Sequence, residues 1–270
     1  MYIKKLLSAI FVLFICVLNL SCVSKIKQTE QTADPFIEKM ELNGGRMFSG
    51  NSQGNRPLPG SPYGYEIWSE SGNDNRLIWY GNEYGGGGAF RAEWNNAKTF
   101  LGRVGLFWNN GNPYSFYDDT FCDFEFTRSV NGTAGGASYI GIYGWSKDPM
   151  IEWYIVEDWF SAGVITPSRI GGNAEKINEF TIDGEVYFIY KAVRPAGSGN
   201  ILGVNEPFPQ FFSVRQTTRQ SGTISISGHF KAWEKEGLIL GSNMYEAKFL
   251  IEAGSGTGWF DASHISFYQR

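Results

Sequence analysis

The chain has 270 residues, and its 23 lysines and arginines against 27 aspartates and glutamates leave a formal net charge of −4 at pH 7. This acidic balance lacks the basic footprint of a nucleic-acid-binding protein, so we expect no nucleic-acid partner. The sequence holds two histidines and three cysteines, and two of the cysteines, Cys16 and Cys22, fall in the N-terminal segment. We therefore expect no disulfide framework, no zinc site and no cofactor.

The first residues carry the pattern of an export signal. Lys4 and Lys5 precede an apolar stretch over residues 6–18, which is shorter than the run of about 18 to 20 residues needed to cross a bilayer. The stretch is followed closely by Ser21 and Cys22. This ending is similar to a bacterial lipobox, in which the cysteine becomes the acylated N-terminus. An ordinary signal cleaved nearby is the alternative.

This pattern divides the chain into three parts. Residues 1–21 are expected to be a lipoprotein signal peptide, residues 22–40 a polar tether, and residues 41–270 a single domain, because the composition does not change along that last part. A protein of this kind is secreted and held at a membrane only through lipid on Cys22. We accordingly expect a bacterial lipoprotein exposed outside the cytoplasm, and a monomer.

Composition indicates that the domain is built from strands. Aromatic residues make up 16% of the chain, 34 residues are glycine and 19% are charged, which is typical of short strands joined by tight turns. The one convincing helical stretch opens at Ser227-Gly228, with Phe230 and Trp233 spaced to face a core and Gly237 placed to end it. The sequence predicts an all-β domain, either a sandwich or a strongly curved antiparallel sheet, with one α-helix.

A glutamate stands among aromatic residues in the segment GIYGWSKDPMIEWYIVE. Because successive side chains of a strand alternate between its faces, Glu152 and Tyr154 share one face. In the preceding strand-like segment, Tyr139 and Tyr143 share a face with Gly141 between them. Sugar rings stack on flat aromatic floors of this kind, so the pattern suits a polysaccharide groove. The alternative is that these aromatic side chains fill a sandwich core.

A second glutamate ends a strand-like segment farther along the chain. In MYEAKFLIE, alternation places Glu246, Lys248, Leu250 and Glu252 on one face. A solvated edge residue is the simplest interpretation of Glu252 taken alone. If both glutamates line one groove, however, burial keeps one carboxyl protonated while hydrogen-bond donors keep the other ionised. That difference is what acid and nucleophile chemistry on a glycosidic bond requires.

Three segments resemble the signature regions of a known family. They are YGWSKDPMIEWYIVE, SVRQTTRQSGTISISGHFKAWEKEGLILG and MYEAKFLIE, and their order along the chain also fits glycoside hydrolase family 11, the β-jelly-roll endo-1,4-β-xylanases. The resemblance extends over most of residues 63–270. It implies a β-jelly-roll sandwich of two curved antiparallel sheets with one α-helix packed on the back, and a cleft that admits unbranched stretches of xylan.

The resemblance also implies roles for individual residues. Glu152 matches the family's nucleophile and Glu252 its general acid/base, in a retaining double displacement. Trp68 matches the cleft tryptophan that stacks on a xylose of the non-reducing side. The remaining matches are to sugar and carboxylate contacts of the cleft, namely Tyr139, Tyr143, Tyr154, Arg194 and Gln210.

Two further interpretations stay open on the sequence alone. A non-catalytic xylan-binding jelly-roll module explains the aromatic side chains but not two carboxyls in one groove. Hydrolysis of another β-1,4-glucan differs by room for the hydroxymethyl group that xylose lacks. The loop RPAGSGNILG, at the place of the family's thumb, has an unusual tip, and its glycines predict a more mobile loop that clamps substrate less firmly.

Overall fold

The computed structural model describes residues 34–50, 52–58, 60–71, 73–129 and 138–270. The expected signal peptide, Cys22 and the tether up to residue 33 lie outside these ranges. Within them, no helix is long and apolar enough to cross a bilayer. The residues from Pro35 to Arg270 group into one unit.

Strands dominate the described residues, as the composition predicts. Six strands form one sheet in the order β1-β4-β5-β15-β7-β13, and nine form another in the order β10-β11-β12-β9-β8-β14-β6-β3-β2. The expected all-β sandwich of two sheets is therefore confirmed. In chain order the strands are β1 (Arg46–Ser49), β2 (Ser52–Pro57), β3 (Tyr63–Ser69), β4 (Asn73–Trp79), β5 (Phe90–Ala97), β6 (Phe100–Phe107), β7 (Thr120–Arg128), β8 (Tyr139–Lys147), β9 (Ile151–Asp158), β10 (Glu175–Ile182), β11 (Glu185–Arg194), β12 (Phe208–Arg215), β13 (Ser221–Ser225), β14 (Asn243–Ala253) and β15 (Gly256–Gln269).

One pairing differs from the expected antiparallel sheets. Strands β9 and β12 run parallel and place Glu152 opposite Gln210 and Tyr154 opposite Phe212, whereas β12 pairs with β11 on its other side in the antiparallel sense. Parallel neighbours need a long crossover connection. Here that connection, residues 159–207, contains both β10 and β11. Hairpin signals between adjacent segments do not reveal such a pairing.

The core lies between the two sheets. Trp153 and Ile155 of β9 belong to it, together with Phe249 of β14. Phe249 contacts the rings of Phe124 and Phe126, which come from the six-stranded sheet, at centroid distances of 5.3 and 5.9 Å. Alternation therefore sends the remaining side chains of β9 and β14 to the opposite face of the nine-stranded sheet.

The main helix lies where the sequence predicts it. The described helices are α1 (Pro35–Leu42), α2 (Pro167–Ile170) and α3 (Ile226–Lys235), with 3-10 turns at Gly85–Gly87 and Tyr114–Phe116. Phe230 and Trp233 of α3 are buried and contact the ring of Trp153 at 4.9 and 6.3 Å. Beyond α3, Gly237 has a φ of 75° and donates its N–H to the carbonyl of Glu234 at 3.0 Å.

The two shorter helices were not expected from the sequence. Two side chains of α1 pack on the rest of the domain. The ring centroid of Phe36 lies 3.8 Å from the guanidinium of Arg91, and the ammonium of Lys39 lies 4.6 Å from the ring centroid of Tyr80. The unit that contains α1 begins at Pro35, and the expected division into signal peptide, tether and domain stays a prediction. These partners are distant in sequence, so a polar composition around α1 gave no indication of its packing.

Replacing Trp233 by alanine tests how strongly α3 stabilises the sandwich. Trp233 is buried, contacts Trp153 and donates from Nε1 to Oγ of Ser213 at 2.9 Å. Its loss leaves a cavity, so we expect the free energy of unfolding, measured by urea titration, to fall by about 3 to 5 kcal/mol. Ile239→Ala is the control, because Ile239 is 55% exposed, and a loss below about 0.5 kcal/mol is expected there. Equal losses for the two variants would contradict this account of the helix.

Candidate active site

A second cluster of buried side chains covers the face of the nine-stranded sheet opposite the core. It contains Tyr139, Tyr143 and Trp145 of β8, Tyr154 of β9 and Phe212 of β12. We call this surface the cleft face. The aromatic side chains of β8 therefore share one face, as alternation predicts, and they do not belong to the core between the sheets.

Cross-strand pairing places Glu252 in one row with two other expected site residues. Trp68 of β3 lies opposite Leu101 of β6, Leu101 lies opposite Glu252 of β14, and Glu252 lies opposite Tyr139 of β8. Trp68 is partly exposed. An indole in this row is accessible to a ligand that lies across the strands beside Glu252.

Three side chains hold the carboxylate of Glu152. The hydroxyl of Tyr143 donates to Oε1 at 2.7 Å, the hydroxyl of Tyr154 donates to the same oxygen at 3.1 Å, and Nε2 of Gln210 donates to Oε2 at 2.6 Å. Glu152 is buried. An ionised carboxylate is acceptor-only, so three donors suit its charged form.

The tyrosines that contact Glu152 are themselves fixed by their neighbours. Nε1 of Trp145 donates to the hydroxyl of Tyr143, whose ring meets that of Tyr154 edge-on at 4.8 Å. Tyr154 stacks on Phe212 at 4.7 Å with an interplanar angle of 8°. Burial and then the negative charge of Glu152 raise the pKa of both tyrosines, so both hydroxyls keep their protons and remain donors.

Glycine is required at one place in this floor. Gly141, between Tyr139 and Tyr143, has a φ of 154°, and a Cβ atom on it would lie 2.1 Å from the carbonyl oxygen of Ile155 on the neighbouring strand. No larger residue fits that approach without moving β9. The glycine therefore lets β8 and β9 pack closely where Gly141 lies opposite Val156 on the strand that carries Glu152.

The surroundings treat the two carboxyls unequally. Burial raises the pKa of Glu152, but hydrogen bonds from Tyr143, Gln210 and Tyr154 oppose that rise. Burial and then the negative charge of Glu152 raise the pKa of Glu252 to about 7. The hydroxyl of Tyr154 and the positive charge of Arg194 lower the pKa of both groups, so the two carboxyls belong to one site. The three donors to Glu152 favour its ionised form.

Arg194 and the loop that follows it border this site. Arg194 ends β11, is exposed, and its positive charge opposes the rise in the pKa of both carboxyls. In the loop over residues 195–207, the side-chain amide of Asn200 donates to the carbonyls of Ser198 and Val204 at 3.1 and 2.7 Å, and its oxygen accepts from the N–H groups of Leu202 and Val204 at 3.1 and 3.2 Å. These hydrogen bonds of Asn200 link both ends of the turn over residues 198–204. The greater mobility expected from the glycines of the loop stays a prediction.

Sequence reasoning missed several residues that shape the site. Phe212, which stacks on Tyr154, had no predicted role, and Trp145 was expected on the face of Tyr139 and Tyr143 but not as a donor to the hydroxyl of Tyr143. A group of buried charged side chains also lies on the cleft face, namely Glu66, Arg103, Glu246 and Lys248. Alternation identified Glu246 and Lys248 as neighbours of Glu252, whereas Glu66 and Arg103 had no signal beyond their strand positions. In the described part of the chain, no three His, Cys, Asp or Glu side chains are placed to hold a metal ion.

Comparison with known proteins assigns the family. Residues 61–263 match the profile of the family described as Glycosyl hydrolases family 11. The chain belongs to glycosyl hydrolase family 11. A crystal structure of a mutant ENZbleach xylanase superimposes with a TM-score of 0.79 at 48% sequence identity, covering 84% of this chain and 88% of that one. The β-jelly-roll architecture implied by the sequence resemblance is thereby confirmed.

Several curated endo-1,4-beta-xylanases are similar in sequence. Endo-1,4-beta-xylanase C of Fibrobacter succinogenes is 41% identical over 78% of this chain and 32% of its own length. Endo-1,4-beta-xylanase S20 of Neocallimastix patriciarum is 38% identical over 85% of this chain and 64% of its own, and endo-1,4-beta-xylanase A of Bacillus pumilus is 35% identical over 79% and 82%. The chain thus spans less than two thirds of the length of the first two relatives.

The pKa of Glu252 provides a direct test of the coupling within this family 11 site. We expect NMR of carboxyl-labelled glutamate to show Glu252 titrating at about 7. In the variant Glu152→Gln, the negative charge that raises this pKa is lost, so the pKa of Glu252 should fall. Glu125→Gln on β7 is the control and should leave it unchanged. An unshifted pKa in Glu152→Gln would show that the two carboxyls do not interact.

Proposed function

We propose that this protein is an endo-1,4-β-xylanase that cleaves xylan with retention of configuration, with Glu152 as nucleophile and Glu252 as general acid/base. One observation carries the proposal: the hydroxyl of Tyr154 lowers the pKa of both carboxyls, and three donors favour the ionised form of Glu152 while the pKa of Glu252 is raised to about 7. Retaining glycosidases need such a pair, with carboxyls about 5 to 5.5 Å apart. The relatives named above are endo-1,4-beta-xylanases.

The first chemical step uses both groups at once. The carboxylate of Glu152 forms a bond to the anomeric carbon while the bond from that carbon to the leaving oxygen breaks. The carboxylic acid of Glu252 transfers its proton to the leaving oxygen. The products are a glycosyl ester on Glu152 and the shortened xylan chain, with Glu252 left as a carboxylate.

The second step reverses the role of Glu252. Esterification removes the negative charge of Glu152, which is one of the causes that raise the pKa of Glu252. The lower pKa lets Glu252 remain ionised until it takes a proton from a water molecule, whose oxygen attacks the anomeric carbon. The ester bond then breaks, and Glu152 returns to its carboxylate form.

The remaining residues of the cleft face serve substrate binding in this proposal. Trp68, in the row of Glu252, stacks on the apolar face of a xylose ring. Tyr139 lies opposite Glu252 and contacts the ring of Tyr154 at 5.2 Å, and these contacts support a role for its hydroxyl in binding the sugar beside the scissile bond. Arg194 and Gln210 contact sugar hydroxyls from the side of β11 and β12. We expect no cofactor and a monomeric enzyme, since both carboxyls and Tyr154 come from one chain.

Substitution of Glu152 by glutamine tests the chemistry. We expect release of reducing ends from xylan to fall about a thousandfold or more, because the amide cannot act as nucleophile, while binding to insoluble xylan persists. The control Glu125→Gln should cleave at the wild-type rate. In the wild type, proton NMR should show the β-anomer as the first product, before mutarotation.

Three results would reject this proposal in different ways. A Glu152→Gln variant with wild-type turnover removes Glu152 as nucleophile. A wild-type protein that binds xylan but releases no reducing ends is the non-catalytic jelly-roll module instead. Equal release of reducing ends from xylan and from cellulose assigns the enzyme to the wider class of β-1,4-glucan hydrolases.

We further propose that the enzyme is exported and anchored through lipid on Cys22. The support is the sequence pattern of Lys4, Lys5, the apolar residues 6–18 and a cysteine at position 22. In a bacterial host we expect the full chain to take up labelled palmitate and to sediment with membranes, and Cys22→Ser to be unlabelled and released in soluble, active form. A Cys22→Ser variant that sediments as the wild type does would exclude this anchor.

A further inference from the structure

Four charged side chains are buried under the cleft face, where none of the proposed steps uses them. Glu66 of β3, Arg103 of β6, and Glu246 and Lys248 of β14 expose 7%, 4%, 0% and 0% of their surface. Removing charges from water is costly, and apolar side chains of similar size would often serve stability as well. Their presence beside the site therefore calls for another explanation than folding stability.

These side chains form one continuous ion network that clamps Arg103. Nζ of Lys248 lies 2.6 Å from Oε2 of Glu246, and Nη1 of Arg103 lies 2.9 Å from Oε1 of the same carboxylate. On its other edge, Arg103 donates from Nε to Oε2 of Glu66 at 3.0 Å and also from Nη2 to that oxygen. The guanidinium is thus held from two strands on opposite sides.

The clamped guanidinium lies against the tyrosine that contacts Glu152. The Cζ atom of Arg103 is 4.2 Å from the ring centroid of Tyr143, a distance typical of a cation–π contact. The hydroxyl of that ring accepts from Nε1 of Trp145 and donates to Oε1 of Glu152 at 2.7 Å. Because the planar guanidinium of Arg103 is fixed against the ring of Tyr143, it also fixes the position of the Tyr143 hydroxyl.

We propose that Arg103, clamped between Glu66 and Glu246, is a positioning residue that fixes Tyr143 and through it the carboxylate of Glu152. The inference rests on the proposed role of Glu152 as nucleophile. Arginine suits this role better than lysine, because its planar fork binds two carboxylates and stacks on a ring at the same time. Arg103 acts through Tyr143 and does not itself contact the reacting atoms.

The charge of Arg103 has a second, separable effect on the site. Its positive charge opposes the rise in the pKa of Glu252. A lysine at position 103 keeps that charge but loses the flat stack and the two-sided clamp. The variant Arg103→Lys therefore isolates positioning from charge. The two carboxyls interact electrostatically with each other. They also interact with five further titratable or charged side chains, namely Tyr139, Tyr143, Tyr154, Arg103 and Arg194.

A double-mutant cycle with Tyr143→Phe tests the proposal. We expect Arg103→Lys to lower kcat on xylan about tenfold, as a small misplacement of a reacting group does, with KM within about twofold. In the Tyr143→Phe background the same change should lower kcat by less than about twofold, because the hydroxyl through which Arg103 acts is gone. With Tyr143 present, Arg103→Lys should also move the acidic limb of the pH profile to higher pH, since the misplaced hydroxyl weakens a hydrogen bond that favours the ionised form of Glu152. The basic limb should stay in place.

The matched control is Arg91→Lys in the six-stranded sheet. Nε of Arg91 lies 2.5 Å from Oε1 of Glu93, its Nη1 lies 3.7 Å from Oδ2 of Asp261, and its Cζ lies 3.8 Å from the ring centroid of Phe36. This arginine is likewise held by two carboxylates and stacked on a ring, but it touches no residue of the site. Its replacement should change stability while kcat and both pH limbs keep their wild-type values.

Glu66→Gln provides a milder variant if Arg103→Lys does not fold, because the amide keeps the size of the carboxylate. It should move kcat and the acidic limb in the same direction by a smaller factor, again only when Tyr143 is present. Equal losses of kcat with and without the Tyr143 hydroxyl, or an unmoved acidic limb, would overturn the positioning role. Failure of the proposed function itself would be recognised separately, because Glu152→Gln would then keep the wild-type turnover.

Discussion

The mutual repulsion of Glu152 and Glu252 is the constraint on which the rest of this site depends. Two carboxylates in one site, one of them buried and the other partly exposed, disfavour each other's charge, because water screens them poorly. The protein resolves the conflict unevenly, with three hydrogen bonds to Glu152 and a pKa of about 7 for Glu252. Three donors thus favour the ionised form of Glu152, whereas a pKa of about 7 keeps Glu252 protonated at lower pH.

A β-sheet suits this arrangement because successive side chains of a strand point to opposite faces, so that one face packs in the core and the other carries the site residues. Trp153 faces the core and meets α3, while Glu152 and Tyr154 on either side of it face the cleft. A strand fixed on one face by packing holds the other face rigidly. Gly141 adds to this, since the close approach that it permits joins β8 to the strand that carries Glu152.

The cleft face also contains four buried charged side chains. Arg103 links Glu66, Glu246 and the ring of Tyr143, so strands β3, β6, β14 and β8 meet at one side chain. Each of these ions loses hydration, and the network compensates only when its geometry is held closely. Such demanding geometry next to a proposed nucleophile is explained by the orientation that it imposes on Tyr143.

Local patterns in the sequence predicted much of this structure. The two-residue period placed Glu152 with Tyr154, Tyr139 with Tyr143, and Glu252 with Lys248, because a strand has only two faces. The position of α3 followed from Phe230 and Trp233. The parallel pairing of β9 with β12 and the packing of α1 on Tyr80 and Arg91 were missed, since both join segments far apart in the chain.

By itself, the sequence determined which side chains share a strand face, that the domain is all-β, and which family it resembles. Those are properties of short segments, and a short segment carries its own periodicity. Only the tertiary structure decided that Tyr154 lowers the pKa of both carboxyls, that Gln210 donates to Glu152 from a parallel strand, and that Arg103 lies under Tyr143. Hydrogen bonds, pKa shifts and ion pairs depend on distances between separate strands, and those distances exist only once the sheets have formed.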